Sequence, residues 1–223
     1  MKAVMISIQP YWVFLIIAKA MGWEIKQHKE IEVRKNYPKA EDWNKVVKIY
    51  CSKDKKSFDR IPEKYKPAMK KFLGKVIGHF VCDNIYQIKN QYSSFSVANA
   101  TQGETNEIAR QSCLDYMDMV SYLVDKDGYA WHISDLVIYN EPKELSEFWA
   151  YNAELNKLFN EGEDCCAWGR CETESGCTND CDPENVLHCY QCWEDWNGWC
   201  HRLTRPPQSW QFVEEKEKEN GTN

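Results

Sequence analysis

Residues 75–88 read KVIGHFVCDNIYQI, and this stretch decides the fold class. Val76, Ile77, Phe80, Val81, Ile85, Tyr86 and Ile88 are β-branched or aromatic, the types that fit a pleated and largely buried surface. The run is long for one strand, and Gly78 predicts a bend within it. Upstream lie shorter strand patterns at 3–8, at 30–35 (EIEVRK) and at Val46–Cys51, with a helix over about residues 10–22 that carries Pro10 in its first turn. Downstream, 104–112 and 113–124 read as helices, Trp131–Tyr139 (WHISDLVIY) as a strand and Ser209–Glu214 (SWQFVE) as the last one. Five or more short strands interrupted by helices predict an α+β fold, a small mixed β-barrel with flanking helices.

Charge divides this chain of 223 residues, whose net charge is −6. Residues 1–90 hold 19 Lys and Arg against 9 Asp and Glu, whereas the remaining 133 hold 9 against 25. The net charge counts against a nucleic-acid binder only until it is divided in this way: the first half is basic and the second acidic. The cysteines are divided too. Cys165, Cys166, Cys171, Cys177, Cys181, Cys189, Cys192 and Cys200 crowd together, leaving Cys51, Cys82 and Cys113 isolated.

The apolar stretch 3–21 is cut by Ser7, Gln9 and Pro10 into pieces shorter than the roughly 20 residues that span a bilayer. A buried strand followed by a helix accounts for it. The expectation is a cytoplasmic monomer with no membrane contact and with reduced thiols.

Five motifs, weak singly and specific together, resemble an ASCH domain, the activating signal cointegrator homology branch of the PUA-like fold. They are SIQPYW (7–12), KEIEVRK (29–35), KVIGHFVCD (75–83), AWHISDLVIYNEPKEL (130–145) and LTRPPQSW (203–210). The version here is similar to the larger ones of phages and prophages. The resemblance covers about residues 1–52, 74–148 and 203–215. It implies a PUA-like barrel of five or six strands, a cleft facing the helix after the first strand, and RNA or another nucleic acid as ligand.

Lys29, Glu32, Arg34 and Lys35 are the residues expected in that cleft. Glu32 and Arg34 share a strand face by their spacing. Such a cluster can hold a phosphate on its cations while the carboxylate accepts from a base or ribose. The alternative is a ladder ion pair on a solvated face. Some small ASCH proteins are amidohydrolases of acylated cytidine that use a lysine and a threonine nucleophile. The resemblance puts Lys29 at the lysine, Arg34 at the motif's arginine and Glu32 where the threonine would stand. A carboxylate does not replace that hydroxyl, so binding is the expected function. Water activation by Glu32, with Lys29 polarising an amide oxygen, is the hydrolytic alternative. His132 reads as structural, and His79 is given no role.

The Lys53–Lys75 stretch carries nine Lys and Arg against three acids, with Phe58, Tyr65 and Phe72 interleaved. It is either a phosphate-tracking surface with stacking faces or a solvated insertion whose aromatics dock on the barrel.

The chain divides into a discontinuous barrel, 1–160 with 203–215, a Cys- and Trp-rich insertion, 161–202, and a polar tail, 216–223. Within the insertion, Cys177-x3-Cys181 and Cys189-x2-Cys192 followed by Cys200 suit tetrahedral, structural Zn2+. A disulfide-stapled loop or unpaired thiols would be the other outcomes. Trp168, Trp193, Trp196 and Trp199 would cover a metal knuckle or form a contact surface. Ten acids and one arginine over 161–201 fit a basic protein partner better than a phosphate.

Overall fold

The structure is a computed structural model that describes residues 3–38, 44–91, 94–124, 126–150, 203 and 205–215. The insertion 161–202, with the metal-ligand candidates Cys177, Cys181, Cys189, Cys192 and Cys200, and the tail 216–223 lie outside the described residues.

The chain runs β1 (Ala3–Ile8), α1 (Pro10–Ile17), β2 (Ile31–Arg34), β3 (Val46–Cys51), α2 (Lys55–Asp59), α3 (Lys66–Lys70) and β4 (Val76–Val81). It continues through β5 (Ile85–Gln91), β6 (Ser94–Val97), α4 (Gln102–Ser112), α5 (Tyr116–Leu123), β7 (Gly128–His132), β8 (Ser134–Lys143), β9 (Phe148–Ala150) and β10 (Trp210–Glu215). The strands form a six-stranded sheet, β8-β4-β3-β1-β10-β9, and a four-stranded sheet, β2-β7-β5-β6. The β1–β3 pair is parallel, which requires a crossover, and α1 with β2 supplies it.

The expected α+β class is what forms, but the expected barrel does not close. Among the described residues no ladder joins the two sheets. The chain crosses between them at corners instead. KVIGHFVCDNIYQI is two strands, β4 in the larger sheet and β5 in the smaller, separated at Cys82–Asn84. WHISDLVIY divides in the same way at Ile133, just before Asp135 enters the left-handed region at φ 45°. Apolar residues on both sides of each corner hide it from a reading of periodicity, although the ladder must end where the chain changes sheet. Gly78 answers a different need from the bend expected of it. A Cβ there would collide with the carbonyl oxygen of Val137 across the β4–β8 pair, whose register slips on either side.

Alternation in β1 places Val4, Ile6 and Ile8 on one face, where they pack with Val13, Phe14, Ile16 and Ile17 of α1 and with Ile49, Phe72 and Trp131. Ala3 and Met5 point to the opposite face, where Tyr50, Val76, Phe148 and Val213 complete a separate cluster. Both faces being buried explains why β1 reads as a continuous apolar run. The smaller sheet has its own core. Ile31 and Val33 of β2 pack with Ile88, Val97 and Ala130 against Ile108 of α4 and Met119 and Leu123 of α5.

Helix α1 stops at Ile17, short of the expected 22, because the next residues turn and close with Gly22 at φ +65°. The Lys53–Lys75 stretch becomes α2, capped by Asp54 accepting from the Ser57 N–H at 2.7 Å, a 3-10 turn at Glu63–Tyr65, and α3. Its aromatics dock inward. Phe72 is fully buried, Phe58 packs on the main core, and Tyr65 stacks on Trp23 with ring centroids 5.1 Å apart. Among the described residues, no helix is long and apolar enough to cross a membrane.

Candidate functional site

With Ile31 and Val33 committed to the helices of the smaller sheet, the period of two turns Glu32 and Arg34 the other way, toward the larger sheet. The charged face of this strand is therefore internal. Lys29, Glu32 and Arg34 are 4, 7 and 7% exposed, which excludes a solvated ladder pair. All three line a pocket of about 710 Å³ that also takes in Ser7, Trp12, Ser52, Arg60, Asp118 and Tyr122.

Inside it, Glu32 is gripped from both sides. One carboxylate oxygen lies 3.0 Å from Arg34 Nη2, and the other lies 3.4 Å from Lys29 Nζ. Lys29 is positioned by its backbone N–H, which donates to Leu15 of α1 at 3.2 Å. Its Nζ donates to the carbonyl of Ser112 at 2.7 Å and lies 5.2 Å from the centre of the Trp12 ring. Ser112 ends α4, so the ammonium meets the negative end of that helix. Burial pulls the Lys29 pKa below its ordinary value of 10.5, and the Glu32 carboxylate opposes that pull.

Arg34 spans the gap between the sheets. Its Nη2 donates to the Ser7 carbonyl at 2.7 Å and its Nη1 to the Ser209 carbonyl at 3.4 Å. The Nε is buried with no hydrogen-bond partner among the described residues. A buried donor left unsatisfied is costly, and it marks a place for an acceptor.

Of the four residues expected together, the structure unites three. Lys35 is exposed, does not line the pocket, and holds its Nζ 5.4 Å over the ring of Tyr122, which does. The residues that sequence reasoning missed are chiefly Trp12, Arg60, Asp118 and Tyr122. Trp12 sits inside SIQPYW, which marks a strand end, a helix start and the resemblance but does not say that its last residue lines a pocket. Arg60 was hidden among the nine cations of its stretch, and only the fold brings its guanidinium to 5.1 Å from the centre of the Trp12 ring. His132 pairs with Asp83 at 2.6 Å, and His79 lies 3.3 Å from the Tyr139 hydroxyl. Neither lines the pocket. The Cys51 and Cys82 thiols are pushed up to about 12 by burial, which keeps both protonated near neutral pH.

No protein-family model matches the sequence, and no curated protein does. Solved structures similar to the chain include the ASCH protein of Zymomonas mobilis, at 13% identity and a TM-score of 0.42, covering 97% of this chain and 89% of that one. A serine-to-alanine variant of that protein gives 13% identity and 0.43, with 95% and 88% covered. A tyrosine-to-phenylalanine variant gives 16% and 0.38, with 65% and 77% covered. The similarity is loose, and no residue's role is carried across it.

Proposed function

We propose that the chain is a nucleic-acid-binding module that takes one nucleotide of a single strand, RNA in preference to DNA, into the pocket between its sheets. The observation that carries this reading is the buried Lys29–Glu32–Arg34 series on the pocket wall. Two fixed cations suit a phosphate or ribose oxygen, and a carboxylate between them suits the donors of a base edge. Trp12 and Tyr122 supply aromatic faces for the base, and an acceptor on the ligand would answer the Arg34 Nε, which has no partner among the described residues. The preference for RNA rests on the resemblance of the five motifs to ASCH domains, an analogy of family rather than of contacts. Fluorescence polarisation with labelled single-stranded RNA, duplex RNA and single-stranded DNA tests it. Tightest binding to single-stranded RNA, competed by mononucleotides, is the expected result. Equal binding to duplex would overturn the pocket as the site, because a paired base has nothing free to insert.

One observation favours a second reading. A lysine whose pKa is lowered by burial, 3.4 Å from a carboxylate in a nucleoside-sized pocket, is also the equipment of an amidohydrolase acting on acylated nucleosides. Turnover of acylated cytidine that Lys29→Ala abolishes would establish it, and inactivity across acylated nucleosides would remove it.

A further inference from the structure

A second pocket, of about 650 Å³, is lined by Tyr11, Lys26, Lys64, Tyr65 and Cys113 and shares Arg60 with the first. Chain neighbours straddle the boundary at two places. Tyr11 lines the second pocket and Trp12 the first, while Cys113 lines the second and Leu114 the first. The two pockets therefore abut along a ridge made by the start of α1 and the turn that follows α4. Arg60 belongs to this ridge. Its guanidinium carbon is 4.0 Å from the centre of the Tyr11 ring and 5.1 Å from that of Trp12, and the side chain makes no ion pair among the described residues.

We infer that the second pocket receives the neighbouring nucleotide of the same strand, with Arg60 holding the phosphate between the two. This rests on the reading of the first pocket given above. Consecutive nucleotides in abutting sites place their shared phosphate at the boundary, where a cation is needed. A guanidinium stacked on an aromatic ring stays oriented while its donors meet phosphate oxygens in pairs. The second pocket has the matching character. Lys26, Lys64 and Arg60 outnumber its one carboxylate, Glu24. Tyr65 forms part of its wall, held in place by its hydroxyl donating to the Glu24 carbonyl at 2.9 Å and by its stack on Trp23, with the Lys64 Nζ 4.6 Å from the centre of its ring. The ligand class is thus an oligonucleotide of at least two residues, and a free nucleoside would use half of the site.

The test compares adenosine 5′-monophosphate with labelled hexaadenylate, and the uridine pair likewise, on wild type and on Lys26→Glu/Lys64→Glu, both of whose positions are exposed. In wild type the hexamer is expected to bind roughly tenfold or more tighter than the mononucleotide. In the double variant that ratio is expected to fall toward one. A wild-type ratio near one, or a ratio that survives the double substitution, would overturn the second subsite while leaving the first intact. Failure of both probes to bind wild type would remove the first-pocket reading, and this inference with it.

Discussion

Arg34 Nη2 lies 2.7 Å from the carbonyl oxygen of Ser7, which ties the first strand of the smaller sheet to the end of β1 in the larger one. The same guanidinium nitrogen lies 3.0 Å from Glu32. Arg34 is thus both a wall of the pocket and a strut between the sheets. Removing it leaves a buried carboxylate with half of its compensation. Arg34→Ala is expected to cost about 3–5 kcal/mol in urea unfolding, with Arg34→Lys recovering part of it. Unchanged stability would show that the sheets are held together elsewhere. Loss of ligand in Arg34→Ala reports on the fold as well as the site, so other residues are needed to probe binding.

Lys29 gives a prediction in pH. Its folded-state pKa lies below 10.5, with burial as the main cause and Glu32 in opposition. Between that lowered value and 10.5 the unfolded chain holds a proton that the folded chain has released, so this lysine makes stability rise with pH across the window. Relative to Lys29→Met, the wild type should gain stability as pH climbs from neutrality toward 10.5. Urea midpoints of the two proteins measured over that range check it, and parallel curves would contradict it.

Two glycines should behave differently. Gly78→Ala drives a methyl into the Val137 carbonyl, a backbone group that cannot swing aside, and is expected to cost at least about 2 kcal/mol. Gly22→Ala meets nothing within 4 Å and bears only the strain of φ +65°, about 1 kcal/mol. Thermal unfolding of both variants tests the order. The reverse order would mean that the β4–β8 contact relaxes.

Much of this was legible in the sequence, for reasons that residues make plain. The alternation in EIEVRK placed Glu32 and Arg34 on one face, and the structure keeps them there. What alternation lacks is any label for what that face meets. Ser7 and Ser209, whose carbonyls receive Arg34, are 27 and 175 positions away from it. Arg60 and Trp12 are likewise brought together only by the packing of α2 near α1. The corners at Cys82–Asn84 and Ile133 leave no mark in the periodicity because strand-forming residues continue through them.

The insertion 161–202 lies outside the described residues, and its zinc remains a proposal from spacing. Native mass spectrometry of reduced protein should find bound zinc, and Cys189→Ser/Cys192→Ser should lose it. Reduced wild-type protein free of metal would contradict the proposal.

The measurement that bears most directly on the account is binding of labelled single-stranded RNA at two salt concentrations by wild type and by Trp12→Ala/Arg60→Ala, two pocket residues outside the Lys29–Glu32–Arg34 series. Salt-sensitive binding by wild type is expected, weakened about tenfold or more in the double variant at a temperature where circular dichroism shows both proteins folded, since Trp12 also packs on the main core. Binding unchanged by the double substitution, or no binding by wild type at either salt concentration, would contradict it.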